Sequence, residues 1–243
     1  MISLRPEGGH EVLRRAAARL GWRTIALSPW RIVPRDDDRA RRALRDALAQ
    51  RQVVFTSPAA VAAAAALLPL PGAPGRPLLA VGAGTARALR VATGGDAAVR
   101  APARMDSEGL LAMPELAAAT GVGLVCAPGG RDAVAAALQQ RGARVVRAEV
   151  YDRVPLPPAP RALAALRSAD GEWLLPLTSA GALAQVLATL PGDLAARLRA
   201  ARVVAASERL ATAARAAGCS GAITVAGDPR PARLLAAARP PAT

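Results

Sequence analysis

Four short apolar runs punctuate the chain, VVFT at 53–56, LLAVG at 78–82, GLVCA at 123–127 and LLPLT at 174–178, and none of them alternates with polar residues. A run of this kind predicts a strand whose two faces are both covered. After each comes a window in which leucine and alanine recur with the helical period, often closed by glycine, as in LQQRG at 138–142. Glycine just past a helix supplies the left-handed residue that ends it. Strand alternating with helix in this way predicts an α/β protein built on parallel, doubly wound sheets.

The pattern occurs twice. ISLRPEGGHEVLRRAAARLGWRTIALSP near the start matches GLVCAPGGRDAVAAALQQRGARVVRAEV in the middle, and their helix-ending glycines, Gly21 and Gly142, are 142 − 21 = 121 positions apart. VVFTSPAAV at 53–61 matches LLPLTSAGAL at 174–183, with Thr56 and Thr178 separated by 178 − 56 = 122. LLAVGAGTARALRVATG matches RVVAASERLATAARAAG, with Gly94 and Gly218 separated by 218 − 94 = 124. These offsets are about half of the 243 residues, so the sequence reads as a tandem duplication with three strand-helix units per half.

Two extended segments follow the first unit of each half, SPWRIVPRDDD at 28–38 and EVYDRVPLPPAP at 149–160, and their prolines mark them as connectors. Tyr151, the only tyrosine, sits on the second. A phenol there either faces a cleft, where it exchanges a proton, or pins the connector by packing with its hydroxyl in water.

Composition narrows the classes. About half of the residues are apolar, enough for one large or two small domains with real cores. The first residues, MISLRPEGGHEVLRR, lack the apolar run of a signal peptide, and AAVAAAAALLPLPG is too short for a bilayer, so a cytoplasmic protein without a membrane partner is expected. Cys126 and Cys219, the only cysteines, lack metal-ligand spacing and fit a reducing compartment. The net charge is +14, yet lysine and asparagine are absent and all 32 basic residues are arginine, a skew that points to compositional bias. An arginine-rich surface still attracts polyanions. With 2% aromatics the chain lacks the stacking platforms of a single-strand binder, and nucleic acid is not expected as a partner.

Where a parallel strand ends and a helix starts, unpaired N–H groups and the positive end of the helix dipole form an anion site. Those junctions carry Thr56-Ser57, Gly82-Ala83-Gly84-Thr85, Gly129-Gly130-Arg131, Thr178-Ser179 and Ser207. Helix capping alone explains a Ser or Thr at any single junction. Matched junctions in two halves suggest more, because open α/β sheets bind ligands at the carboxyl ends of their strands.

Other chemistries lose ground. His10 is the only histidine and has neither a serine nor a cysteine motif around it, so a solvent-exposed side chain is expected, with no triad and no imidazole metal site. A phosphate-binding P-loop motif is missing. Gly82-Ala83-Gly84 has Arg87 where a dinucleotide fingerprint has its third glycine, so a tight strand-helix turn explains it better. Arg35-Asp36-Asp37-Asp38-Arg39 reads as a solvated helix start.

Taken together, FTSPAAV at 55–61, AVGAGTARAL at 80–89, DSEGLL at 106–111, RGARVVRAEVYDRV at 141–154, LTSAGAL at 177–183 and ASERLATAARAAG at 206–218 resemble the uroporphyrinogen-III synthase family from end to end of the chain. The order and spacing of the motifs carry the resemblance. It implies two similar doubly wound parallel-sheet lobes joined by a two-stranded connector: residues 1–32 with 156–243 in one lobe, 37–148 inserted as the other, and 33–36 with 149–155 as connector strands. The duplicated units would then have exchanged partners, each lobe presenting one Thr-Ser junction to a shared cleft.

The resemblance also implies an activity. The family cyclises hydroxymethylbilane, a linear tetrapyrrole with eight carboxylates, to uroporphyrinogen III with loss of water and inversion of the last ring, using no metal and no redox cofactor. Carried over residue by residue, the substrate contacts are Thr56, Ser57, Gly84, Thr85, Thr178, Ser179 and Ser207, with Arg5 and Arg209 as carboxylate partners and Tyr151 as a mild acid. Some members have a Thr-Thr-Ala turn where this chain has Ser207-Glu208-Arg209, which leaves that corner open. A monomer is expected on the family's pattern. Two other classes stay in view, a two-lobed binder of anionic metabolites and a nicotinamide-dependent reductase resting on Gly82 and Gly84.

Overall fold

The computed structural model describes residues 1–70, 76–104, 107–129 and 132–238; Asp106, Gly130 and Arg131 of the sequence motifs lie outside them. The chain divides into two compact units, Met1–Arg31 with Val154–Thr243, and Ile32–Arg153. The first unit opens with β1 (Ile2–Ser3), α1 (Glu11–Ala18) and β2 (Ile25–Ala26), and leads into β3 (Trp30–Pro34).

Unit 2 holds α2 (Asp38–Leu48), β4 (Gln52–Phe55), α3 (Pro58–Leu67), β5 (Leu78–Ala80), α4 (Ala83–Ala92), β6 (Val99–Arg100), α5 (Ser107–Leu111), α6 (Pro114–Ala117), β7 (Gly121–Cys126), α7 (Asp132–Gln140) and β8 (Arg144–Glu149). Its five strands form one parallel sheet in the order β6-β5-β4-β7-β8. Chain order reverses between β4 and β7, as a doubly wound sheet requires. Val53, Phe55, Leu78 and Ala80 point to the face covered by α2, α3 and α4. Val54, Leu79, Val122 and Leu124 point to the other, covered by α5, α6 and α7. The unalternating strands of the sequence are thus buried on both sides.

Unit 1 resumes after β9 (Tyr151–Pro155) with α8 (Pro160–Arg167), β10 (Leu174–Leu177), α9 (Ala180–Thr189), α10 (Gly192–Arg199), β11 (Arg202–Ala205), α11 (Glu208–Ala216), β12 (Ile223–Val225) and α12 (Pro231–Ala237). β10, β11 and β12 form a parallel sheet, β1 and β2 a parallel pair, and β1 lies beside β10. The spatial order β12-β11-β10-β1-β2 repeats the order of unit 2, with the halves of the sequence exchanged. Register repeats too: Ile2 faces Ile25 and Gly121 faces Arg144, each pair 23 residues apart (25 − 2 and 144 − 121). One core surrounds β10 and β11, while Leu13 and Ala17 of α1 pack with Leu235 of α12.

β3 and β9 pair with each other. The Arg35 N–H donates to the Val150 carbonyl at 2.9 Å and the Leu156 N–H to the Pro29 carbonyl at 3.1 Å, so the two strands run in opposite directions.

Backbone geometry accounts for the repeated glycines. Gly21 and Gly142 end the equivalent helices α1 and α7 with φ of 72° and 86°, the left-handed conformation. Gly123 answers to close packing instead: a Cβ there would lie 2.0 Å from the Ala47 carbonyl oxygen of α2.

Candidate active site

In unit 2, β4 delivers Thr56 and Ser57 to the carboxyl edge of the sheet, beside the β4/β7 reversal. The Thr56 hydroxyl donates to the Val125 carbonyl at 3.1 Å and the Thr56 N–H to the same oxygen at 3.1 Å, closing the end of the β4/β7 ladder. Ser57 is the N-cap of α3, accepting from the Ala60 N–H at 3.0 Å, and Pro58 follows with the φ that a first helical turn needs. The capping explanation holds here, and the same oxygen does more. Ser57 Oγ lies 3.1 Å from the Tyr151 hydroxyl.

β8 brings Tyr151 to that edge. Its ring is 2% exposed and belongs to the core of unit 2, with the Arg153 guanidinium 5.9 Å from the ring centre. Neither expected environment, a phenol open to a cleft or a hydroxyl in water, describes it: the ring is covered and the hydroxyl rests on Ser57. Ser57 itself is half-buried, and it is the member of the pair that solvent reaches.

β5 leads into Gly82, the N-cap of α4, whose φ of −179° is ordinary extended backbone. Gly84 is exposed, and a Cβ on it would meet only Pro58 Cγ at 3.7 Å. The Thr85 side chain is 3% exposed, so at this corner the surface is made by the backbone of the first turn of α4 rather than by a hydroxyl. Arg35 anchors the connector to unit 2: its guanidinium makes two bonds of 2.9 Å to Asp152 and one of 3.2 Å to Glu149. That hydrogen bonding holds the Asp152 carboxyl below its ordinary pKa. The acidic run beside it is a helix start, with Asp37 capping α2 through the Ala40 N–H at 2.8 Å and Asp36 paired with Arg41.

In unit 1, β10 delivers Thr178 and Ser179, both half-buried, to the equivalent edge. Ser179 caps α9 by accepting from the Ala182 N–H at 3.2 Å. Ser207 is the N-cap residue of α11 but makes no side-chain cap bond, and Arg209 is exposed in the first turn of that helix. Arg5 follows β1 and is half-buried. Burial lowers its pKa from the ordinary arginine value.

One expectation is overturned. His10 is 6% exposed, not solvated: Nδ1 lies 2.8 Å from Ser3 Oγ and Nε2 lies 2.8 Å from Ser28 Oγ. Ser3 ends β1 and Ser28 comes just after β2, so the parallel pairing of two strands far apart in sequence builds the pocket for the ring. The local sequence around His10 carries no signal of this. Burial, with Arg14 and Arg5 adding positive charge nearby, holds the His10 pKa below its ordinary value.

The α/β architecture on parallel sheets agrees with the comparisons. A family model described as uroporphyrinogen-III synthase HemD matches residues 11–236. The chain belongs to the uroporphyrinogen-III synthase family. It is accordingly an enzyme of tetrapyrrole biosynthesis, a lyase. Its fold is similar to that of a mutant uroporphyrinogen III synthase from the extremely thermophilic bacterium Thermus thermophilus, at TM-score 0.60 and 21% identity over 97% of this chain and 95% of the other. It is also similar to that of a uroporphyrinogen-III synthetase from Helicobacter pylori, at TM-score 0.59 and 15% identity over 89% of this chain and 92% of the other. No curated protein matches the chain significantly. Among the described residues no helix is long and apolar enough to cross a membrane.

Proposed function

We propose that the strand-end corners bind the carboxylate arms of hydroxymethylbilane and that the Ser57–Tyr151 pair assists departure of its hydroxyl. The observation that carries this reading is the 3.1 Å contact between the two hydroxyls at the carboxyl edge of the unit 2 sheet. Loss of hydroxide from an electron-rich pyrrole is easy and gives an electrophilic azafulvene; mild acid assistance is all that it needs. Ser57 Oγ already accepts from the Ala60 N–H. When Tyr151 donates its proton to the same oxygen, the Ser57 proton is free to point outward, to the leaving hydroxyl. As water departs, the Ser57 proton goes with it and the Tyr151 proton replaces it; the Tyr151 phenolate regains a proton when ring closure releases one from the substrate and restores the pyrrole. The buried phenol thus acts through the half-buried serine.

Direction is the harder part of the reaction. Closure at the ring terminus is geometrically simpler and gives the type I isomer, so the protein must hold the chain in the fold that favours inversion of the last ring, an orientation effect. Thr178, Ser179 and Ser207 on unit 1, and Ser57 with the α4 first turn at Gly84 and Thr85 on unit 2, supply hydroxyl and N–H donors for carboxylates, with Thr56 holding the β4/β7 ladder beside them. Arg5 and Arg209 supply cations. We read the enzyme as a cytoplasmic monomer acting on this small-molecule substrate. Ser57→Ala and Tyr151→Phe, assayed for type III product from fresh hydroxymethylbilane, test the acid pair: both should slow formation to a similar degree, and full turnover by Tyr151→Phe removes the proposed role.

A further inference from the structure

The Ser3–His10–Ser28 cluster takes no part in the proposed proton transfer, and its hydrogen-bond accounting has a single solution. Ser3 is fully buried and its hydroxyl has one side-chain partner, His10 Nδ1 at 2.8 Å. A buried hydroxyl proton needs an acceptor. In a neutral imidazole Nδ1 is that acceptor, and the ring proton then resides on Nε2 and is donated to Ser28 Oγ. Ser28 then has one lone pair engaged, and among the described residues no side chain takes its own proton. The side chain is half-buried just after the carboxyl end of β2, so that proton is left for an acceptor arriving at the strand-end edge of unit 1.

Arg5 stands at the same edge: β1 and β2 pair with Ser3 opposite Ala26, the Leu27 N–H donates to the Ser3 carbonyl at 3.0 Å, and the same register sets Arg5 opposite Ser28, with its charge bearing on the His10 ring. Its guanidinium is half-buried, and among the described residues no carboxylate and no hydrogen-bond acceptor meets it. A partly desolvated cation in register with a hydroxyl that has a proton to give is the donor set of a carboxylate site.

We infer that Arg5 and Ser28 together bind one carboxylate arm of the substrate, and that His10 is the positioning residue that turns the Ser28 hydroxyl into a donor. This rests on the functional reading above. It adds a recognition corner on the first-unit side of the β10/β1 reversal, on the strand next to the one that ends in Thr178-Ser179. Among the described residues, Ser3 and Ser28 bond to the His10 ring and Arg5 and Arg14 act on it by charge, and no acid is among these groups.

Two substitutions of the histidine separate orientation from mere support. His10→Asn places an amide oxygen at the Nδ1 position and satisfies Ser3, but does not reach Ser28. His10→Gln reaches the Nε2 position and donates to Ser28, leaving Ser3 without its acceptor. Steady-state kinetics with hydroxymethylbilane should give a KM raised roughly tenfold or more in His10→Asn, Ser28→Ala and Arg5→Ala, with kcat little changed. His10→Gln should keep a KM near wild type while melting at lower temperature. Arg5→Ala combined with Ser28→Ala should raise KM by less than the product of the single effects, because both groups hold one arm. Unchanged KM in folded Ser28→Ala and His10→Asn overturns the inference while the functional reading stands. Wild-type protein that makes no type III product overturns the functional reading instead, and this corner with it.

Discussion

The Ser57 hydroxyl meets the Tyr151 hydroxyl at 3.1 Å although 94 residues separate them in the chain. The contact exists because β4 and β8 end at the same edge of one parallel sheet. Removing either hydroxyl breaks the proposed proton path, so Ser57→Ala and Tyr151→Phe should each lower kcat for type III formation by about 10- to 100-fold, the low end of general acid assistance. The double variant should be no slower than the worse single one. Stopped assays with separation of the isomers give both numbers.

Ser179 and Ser207 occupy equivalent N-cap positions with different bonding. Ser179 accepts from the Ala182 N–H, and its replacement by alanine should cost about 1 kcal/mol of stability. Ser207 makes no such bond, so Ser207→Ala should melt near wild type and show its effect in KM. Thermal unfolding of both variants, beside their kinetics, checks the contrast.

The buried histidine makes stability depend on pH. An unfolded His titrates near 6.5. In the folded protein its pKa is held lower, chiefly by burial and then by Arg14 and Arg5. Between these values the unfolded chain binds the extra proton, so stability falls as pH drops below about 6.5 and levels once the folded form is protonated too. His10→Gln should remove this contribution. Denaturant midpoints from about pH 7.5 down to about 5 for both proteins test it, and a wild-type slope identical to that of the variant counts against the pocket described here.

Gly123 separates packing from conformation. A methyl group there would stand 2.0 Å from the Ala47 carbonyl oxygen and 3.0 Å from its Cα, so α2 would have to move off the sheet. Gly123→Ala should cost about 2–3 kcal/mol. At Gly84 the added carbon would meet only Pro58 at 3.7 Å, and Gly84→Ala should leave the melting temperature unchanged or raise it.

The two outcomes for polar residues show what a sequence makes legible. Gly21 and Gly142, at equivalent places in two halves, exposed the duplication, because a left-handed helix end leaves the same residue wherever it occurs. Short strands buried on both faces were readable for a similar reason: covering a parallel sheet imposes an apolar run. Ser57 could be placed at a strand-helix junction from its neighbours alone. His10 could not be placed, since its partners Ser3 and Ser28 come to it only through the pairing of β1 with β2. The burial of Tyr151 was hidden in the same way, as it depends on side chains from α2 and α3 and on strand ends that lie far away in sequence.

Incubating the purified protein with freshly prepared hydroxymethylbilane and separating the oxidised products by isomer tests the account most directly. Nearly all product should be type III, formed faster than the spontaneous reaction. Type I alone, at the rate seen without protein, would contradict it.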